Sequence, residues 1–79
     1  KIHKDDKSLL QEFLQGKKID IPEYTVIKID GEPHAQIFEV KCHITKLNIE
    51  EIGKGPSRKI AEQNAANLAL VSLGKINGS

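Results

Sequence analysis

The chain has 79 residues, enough for one small domain with a modest core but not for a large active-site cleft. Twelve Lys and Arg stand against eleven Asp and Glu, a formal net charge of +1, so affinity for a polyanion must come from where the cations sit rather than from their number. One cysteine, Cys42, excludes an internal disulfide and argues against a zinc cage, no apolar run is long enough for a membrane span or a signal peptide, and a reducing, cytoplasmic setting is expected.

Residues 1–4 read as a linker. Asp5 or Asp6 can cap a first helix, in which Leu9, Leu10, Phe13 and Leu14 fall at i, i+1, i+4 and i+5 and predict one buried stripe. Ser8, Gln11, Glu12 and Gln15 form the polar strip of the same helix, and Gly16 is expected to stop it. "KKIDIP" is a connector closed by Pro22. Residues 23–30, "EYTVIKID", are rich in β-branched and aromatic types and predict a strand.

"GEPHA" follows as a loop. "IFEVKCHIT", residues 37–45, then alternates: Phe38, Val40, Cys42 and Ile44 on one face, Glu39, Lys41, His43 and Thr45 on the other, so one side of the sheet is buried and one is wet. A turn at 46–48 leads to a third short strand, 49–53. Gly53, Gly55 and Pro56 break the chain before Ser57, a good N-cap. The second helix spans 58–73 and ends at Gly74. Ala61, Ala65, Ala66, Ala69, Leu70 and Leu73 form its broad apolar face, whose small residues permit close approach. Residues 75–79, "KINGS", offer no core positions and read as a frayed tail. The domain therefore occupies 5–74. Helix, three strands, helix predicts an α+β fold: a three-stranded antiparallel sheet with both helices on its apolar face.

One local choice opposes this plan. Arg58 and Lys59 occupy the first turn of the second helix, where the macrodipole already places positive charge. As a plain solvated helix start this costs a few tenths of a kcal/mol. An anion brought from outside would resolve the conflict, because free N–H groups, the dipole and two cations converge beside Ser57 as a phosphate site. The loop Gly31–Glu32–Pro33–His34 is either an ordinary hairpin turn or a protruding finger with His34 at its tip. No catalytic or metal-binding arrangement emerges. His3, His34 and His43 lack ligand spacing, Cys42 shares the apolar strand face, and the acids lie in caps, loops and edges.

Together these features are specific. The stretches "KSLLQEFLQG", "PEYTVIKIDGEPHAQIFEVKCHI" and "GKGPSRKIAEQNAANLAL" resemble the double-stranded RNA-binding domain over nearly the whole chain, about 5–73. "LQEFLQG" and "SRKIAEQNAA" are most similar to the C-terminal domain of bacterial ribonuclease III. The resemblance implies that Ser57, Arg58 and Lys59 face phosphates across a major groove. It implies that Pro33 and His34 enter one minor groove, and that Ser8, Gln11, Glu12 and Gln15 enter the next. Such domains span about 16 base pairs of A-form duplex and read shape more than sequence.

Two departures stand out: many relatives carry a lysine where Glu62 stands, and Pro56 replaces a residue that is often polar or basic. Glu62 also occurs in the ribonuclease III subgroup, although the lost cation would weaken binding relative to more basic members. The nuclease's acidic metal-binding signature has no counterpart in these residues. The resemblance thus implies a binding module without cofactor, whose parent enzyme would need magnesium and dimerise through its nuclease domain. No membrane partner is expected. Two alternatives remain: a protein-interaction module of the same fold, dimerising with little or no RNA binding, and an accessory RNA-binding protein with no nuclease.

Overall fold

In a computed structural model, residues 5–74 are described. The order is α1 (Asp6–Gly16), β1 (Glu23–Glu32), β2 (Ala35–Ile44), a 3-10 turn (Thr45–Leu47), β3 (Ile49–Gly55) and α2 (Arg58–Ser72). The strands form one antiparallel sheet in the order β1-β2-β3. The expected α-β-β-β-α architecture is present. The linker 1–4 and the tail 75–79 lie outside the described residues.

Both helices start on side-chain caps. The Asp5 carboxylate accepts from the Ser8 N–H at 2.8 Å, and the Ser57 hydroxyl accepts from the Ile60 N–H at 3.2 Å. The end of α1 differs from expectation. Gly16 is the last helical residue rather than the stop, and the left-handed position falls on Lys18, at φ 59°. Ile19 N–H donates to the Leu14 carbonyl at 2.8 Å and Lys18 N–H to that of Gln15 at 3.0 Å, the paired bonds of a Schellman turn. The turn brings Ile19 against the core beside Leu14, giving the connector an apolar anchor.

The core stripe of α1 is narrower than its sequence suggests. Leu10 and Leu14 are fully buried at i, i+4, whereas Phe13 is half-buried and Leu9 is 38% exposed. Helix α2 supplies Ala61, Ala65, Ala66, Ala69 and Leu70 to the core, which they share with Val40, Cys42 and Ile44 of β2. On the helix-free face Ile37 and Ile52 are exposed among charged residues. Lys54 and Glu39 form an ion pair there at 3.8 Å, and His43 Nε2 lies 3.6 Å from a Glu50 carboxylate oxygen.

Strand β3 runs two residues past the expected 49–53, so Gly55 belongs to it rather than to a break after it, and both Gly53 and Gly55 are buried. A Cβ on Gly53 would stand 2.2 Å from the Ala65 nitrogen and 2.5 Å from the Ala61 carbonyl oxygen. The two alanines and the glycine let backbone meet backbone. The contact seats α2, and with it the helix start at Ser57, directly on β3. The Asn64 side-chain amide donates to the Lys54 carbonyl at 2.6 Å along the same seam.

Candidate nucleic-acid interface

The hairpin between β1 and β2 is longer than its sequence pattern suggests. Gly31, Glu32 and Ala35 pair within the ladder, so only Pro33 and His34 form the loop. The last β3 partner on β2 is Phe38, opposite Gly55. Beyond it Asp30↔Ile37, Gly31↔Gln36 and Glu32↔Ala35 pair only with each other. At roughly 3.3 Å per residue, this two-stranded finger carries Pro33 and His34 about 10 Å past the end of β3. Pro33 holds φ negative and so opposes the primed turns that usually close two-residue hairpins. Gly31 supplies a positive φ of 93° just before the turn, where a Cβ would lie 2.5 Å from the Ala35 carbonyl oxygen. Pro33 and His34 are both exposed.

The polar strip of α1 lies opposite its core stripe. Ser8, Gln11, Glu12 and Gln15 are all exposed, while Leu10 and Leu14 on the other side are sealed. Beside the strip a cleft of about 230 Å³ is lined by Lys7, Gln11, Ile21, Pro22 and Tyr24. The Tyr24 hydroxyl is buried and has no hydrogen-bond partner among the described residues. Burial, followed by the neighbouring Cys42, pushes its pKa up. Burial also raises the Cys42 thiol to about 11, so this core cysteine stays protonated at neutral pH.

At the start of α2, Lys59 is exposed and has no ion-pair or hydrogen-bond partner among the described residues. Arg58 differs. Its Nε donates to Glu62 Oε2 at 2.8 Å, an i,i+4 pair within the helix. Glu62 also accepts on Oε1 from Lys7 Nζ of α1, at 2.5 Å. The Lys7 backbone N–H donates to Gln63 Oε1 at 3.2 Å, and the Lys7 ammonium lies 5.0 Å from the centroid of the Tyr24 ring. Glu62 is only 9% exposed, the single buried polar side chain among the described residues. Burial alone would push its carboxyl pKa up, but hydrogen bonds and charge from Lys7 and Arg58 outweigh that and hold it below the usual range.

The electrostatic conflict at this helix start is therefore partly met from within. Glu62, expected as a missing cation, is an anion shared between two helices. The spacing of Arg58 and Glu62 carried a local signal for the pair. Lys7 carried none, since 55 residues separate it from Glu62. Ser57 likewise has a structural task, as the cap that satisfies the Ile60 amide.

The structure thus presents three exposed patches on separate elements: an amide-rich helix strip, a projecting loop and a cationic helix start. Among the described residues no group of three or more His, Cys, Asp or Glu could hold a metal ion, and no helix is long and apolar enough to cross a membrane.

Comparison with known proteins identifies the family and the fold. The family model described as "Double-stranded RNA binding motif" matches residues 7–73. Ribonuclease 3 of Pseudomonas fluorescens (strain SBW25) is 53% identical over 76 residues, which cover 96% of this chain and 33% of that protein. Ribonuclease 3 of Aromatoleum aromaticum is 51% identical over 72 residues, 91% of this chain and 32% of the relative. The chain therefore spans about a third of the length of the curated relatives it matches. Among solved structures, Arabidopsis HYL1 superposes with a TM-score of 0.74 at 33% identity, covering 89% of this chain and 97% of that one. A two-domain structure of DRB4 gives a TM-score of 0.66 at 29% identity, over 91% of this chain and 46% of that one. The chain belongs to the double-stranded RNA binding motif family.

Proposed function

We propose that this chain is a shape-selective clamp on A-form RNA duplex and the substrate-holding module of a bacterial ribonuclease III acting on structured RNA precursors. The supporting observation is the separation of polar from cationic surface. Gln11 and Glu12 on α1 and His34 on the finger are exposed on different elements, with Arg58 and Lys59 on a third. An A-form duplex offers matching partners. Its wide minor groove displays 2′-hydroxyls, which donate and accept, while its deep major groove hides base edges and leaves phosphates as the partners for cations. Amide, carboxylate, imidazole and backbone carbonyl groups suit the first, and the start of α2 suits the second.

The parent role draws on the relatives named Ribonuclease 3, which extend well beyond the matched segment. In such a protein a magnesium-dependent nuclease domain would cut and would dimerise, and the present residues would only hold the duplex. The test is a titration of this chain with duplex RNA and with DNA of the same length and sequence. The two minor-groove surfaces require A-form spacing and 2′-hydroxyls, and each polar group left unpaired on DNA costs about 1–3 kcal/mol. RNA is therefore expected to bind at least about tenfold more tightly, with poor binding of duplexes well below about 16 base pairs. His34→Ala should erode the preference for RNA more than Lys59→Ala. Equal affinities overturn the reading, and absent RNA binding with concentration-dependent sedimentation replaces it with an interaction module.

A further inference from the structure

We propose that Glu62 is a positioning residue that sets the geometry between the α1 strip and the phosphate site of α2, and so carries part of the discrimination between RNA and DNA. The inference rests on the duplex-binding reading above. A buried carboxylate flanked by two cations from different helices is a costly device unless each oxygen is satisfied. Here each is: Oε1 by Lys7 Nζ from α1, Oε2 by Arg58 Nε from its own helix. Gln63 adds the bond to the Lys7 backbone, so the first turn of α1 is fastened to the second turn of α2 at adjacent positions.

Two consequences bear on recognition. Arg58 spends Nε on Glu62, which fixes the plane of its guanidinium and leaves both terminal nitrogens without a hydrogen-bond partner among the described residues. The arginine is thus aimed rather than silenced. Ser8 follows Lys7 in the chain and Gln11 lies one turn on, so anchoring Lys7 also anchors the polar strip. Glu62 touches neither patch's ligand directly. It holds the two at one spacing, which is the quantity that distinguishes an A-form from a B-form duplex.

A purely electrostatic role makes the opposite forecast, and two substitutions separate them. Glu62→Gln removes a negative charge and Lys7→Met a positive one. If charge alone matters, the first tightens and the second weakens binding to both duplexes, and the RNA-to-DNA affinity ratio stays constant. If Glu62 positions the site, both variants lower that ratio at least threefold despite their opposite charges. The double variant then falls no further than the worse single. Affinities are read by fluorescence anisotropy on labelled duplex RNA and DNA, below the melting midpoint of each variant as followed by circular dichroism. Should Glu62→Gln not fold at the assay temperature, Lys7→Met, altered at a partly exposed side chain, decides alone. An unchanged ratio in folded variants overturns the positioning role while leaving the duplex-binding reading intact. A wild-type ratio near one overturns that reading, and the positioning role with it.

Discussion

Arg58 and Lys59 are adjacent in sequence and equal in charge, yet the structure separates what their removal should do. If each offsets one phosphate, replacing either by alanine reduces the slope of log affinity against log salt by about 0.9. Between about 50 and 200 mM salt, one lost contact then changes the relative affinity about threefold. The stabilities diverge. Lys59 has no partner among the described residues, so Lys59→Ala only relieves the clash with the helix dipole, a gain of about 0.3–1 kcal/mol. Arg58→Ala brings the same relief but removes a charge-assisted hydrogen bond to a carboxylate that is only 9% exposed. Such a bond contributes about 1.5–3 kcal/mol. Arg58 itself is 59% exposed, which cuts that figure by about half through solvent screening. The net expectation is a loss of about 0.5 kcal/mol, or roughly 2–4 °C in melting midpoint for a domain of this size. Thermal melts by circular dichroism and anisotropy titrations at four salt concentrations measure both quantities. Equal midpoints for the two variants would refute the Glu62 contact, and unchanged salt slopes would refute the phosphate site.

Three further expectations concern stability. Gly53→Ala places a methyl against the backbone of Ala61 and Ala65 and must lift α2 from β3; overpacking costs about 1–3 kcal/mol, and contact with backbone rather than a flexible side chain puts this case at the upper end, so a chemical-denaturation midpoint close to wild type would contradict it. Lys18→Gly should stabilise by about 0.5–1 kcal/mol, because the left-handed position at the end of α1 now strains a side chain that glycine lacks; a lower midpoint would mean that the Lys18 side chain contributes more than its backbone strain costs. For pH, the Glu62 carboxyl titrates lower when folded than when unfolded. Its contribution is thus fully present above the ordinary carboxylate range and is lost as pH falls through the folded value. The stability gap between wild type and Glu62→Gln should be flat from about pH 5 to 8 and shrink below about pH 4.5. A gap independent of pH down to about 3 would contradict the ion triad.

What could be read from the chain depended on how local the determining contact was. Strand alternation in β2, the alanine face of α2 and the caps at Asp5 and Ser57 are short-range patterns, and the structure reproduces them. Gly55 misled because glycine before proline looks like punctuation, whereas it is the last residue of a strand on which a helix presses. Gly16 misled for the converse reason: the chain took its left-handed step two residues later, at a lysine, because that register lets Ile19 reach the core. The surface residues of the candidate site were legible because exposure follows from helix and strand periodicity. The triad of Lys7, Arg58 and Glu62 was not, since half of it depends on how two helices meet.

That triad also qualifies how a sequence conflict should be read. Cations at a helix start do signal a missing anion, but the anion need not come from outside. A carboxylate four residues on can supply part of it and remain compatible with binding, provided it engages the nitrogen nearest the chain and leaves the outer donors exposed. Arg58 meets that condition through Nε. Had Glu62 gripped the terminal nitrogens in a bidentate fork, the same two residues would have formed a closed pair with little left for phosphate. The decisive variable is therefore which guanidinium nitrogen the internal partner takes. Arg58→Lys tests it: the lysine keeps the charge but has one nitrogen, which cannot serve Glu62 and a phosphate in the same geometry. Duplex RNA should bind this variant several-fold more weakly than wild type, with the melting midpoint nearly retained. Full affinity in Arg58→Lys would show that charge alone suffices at this position.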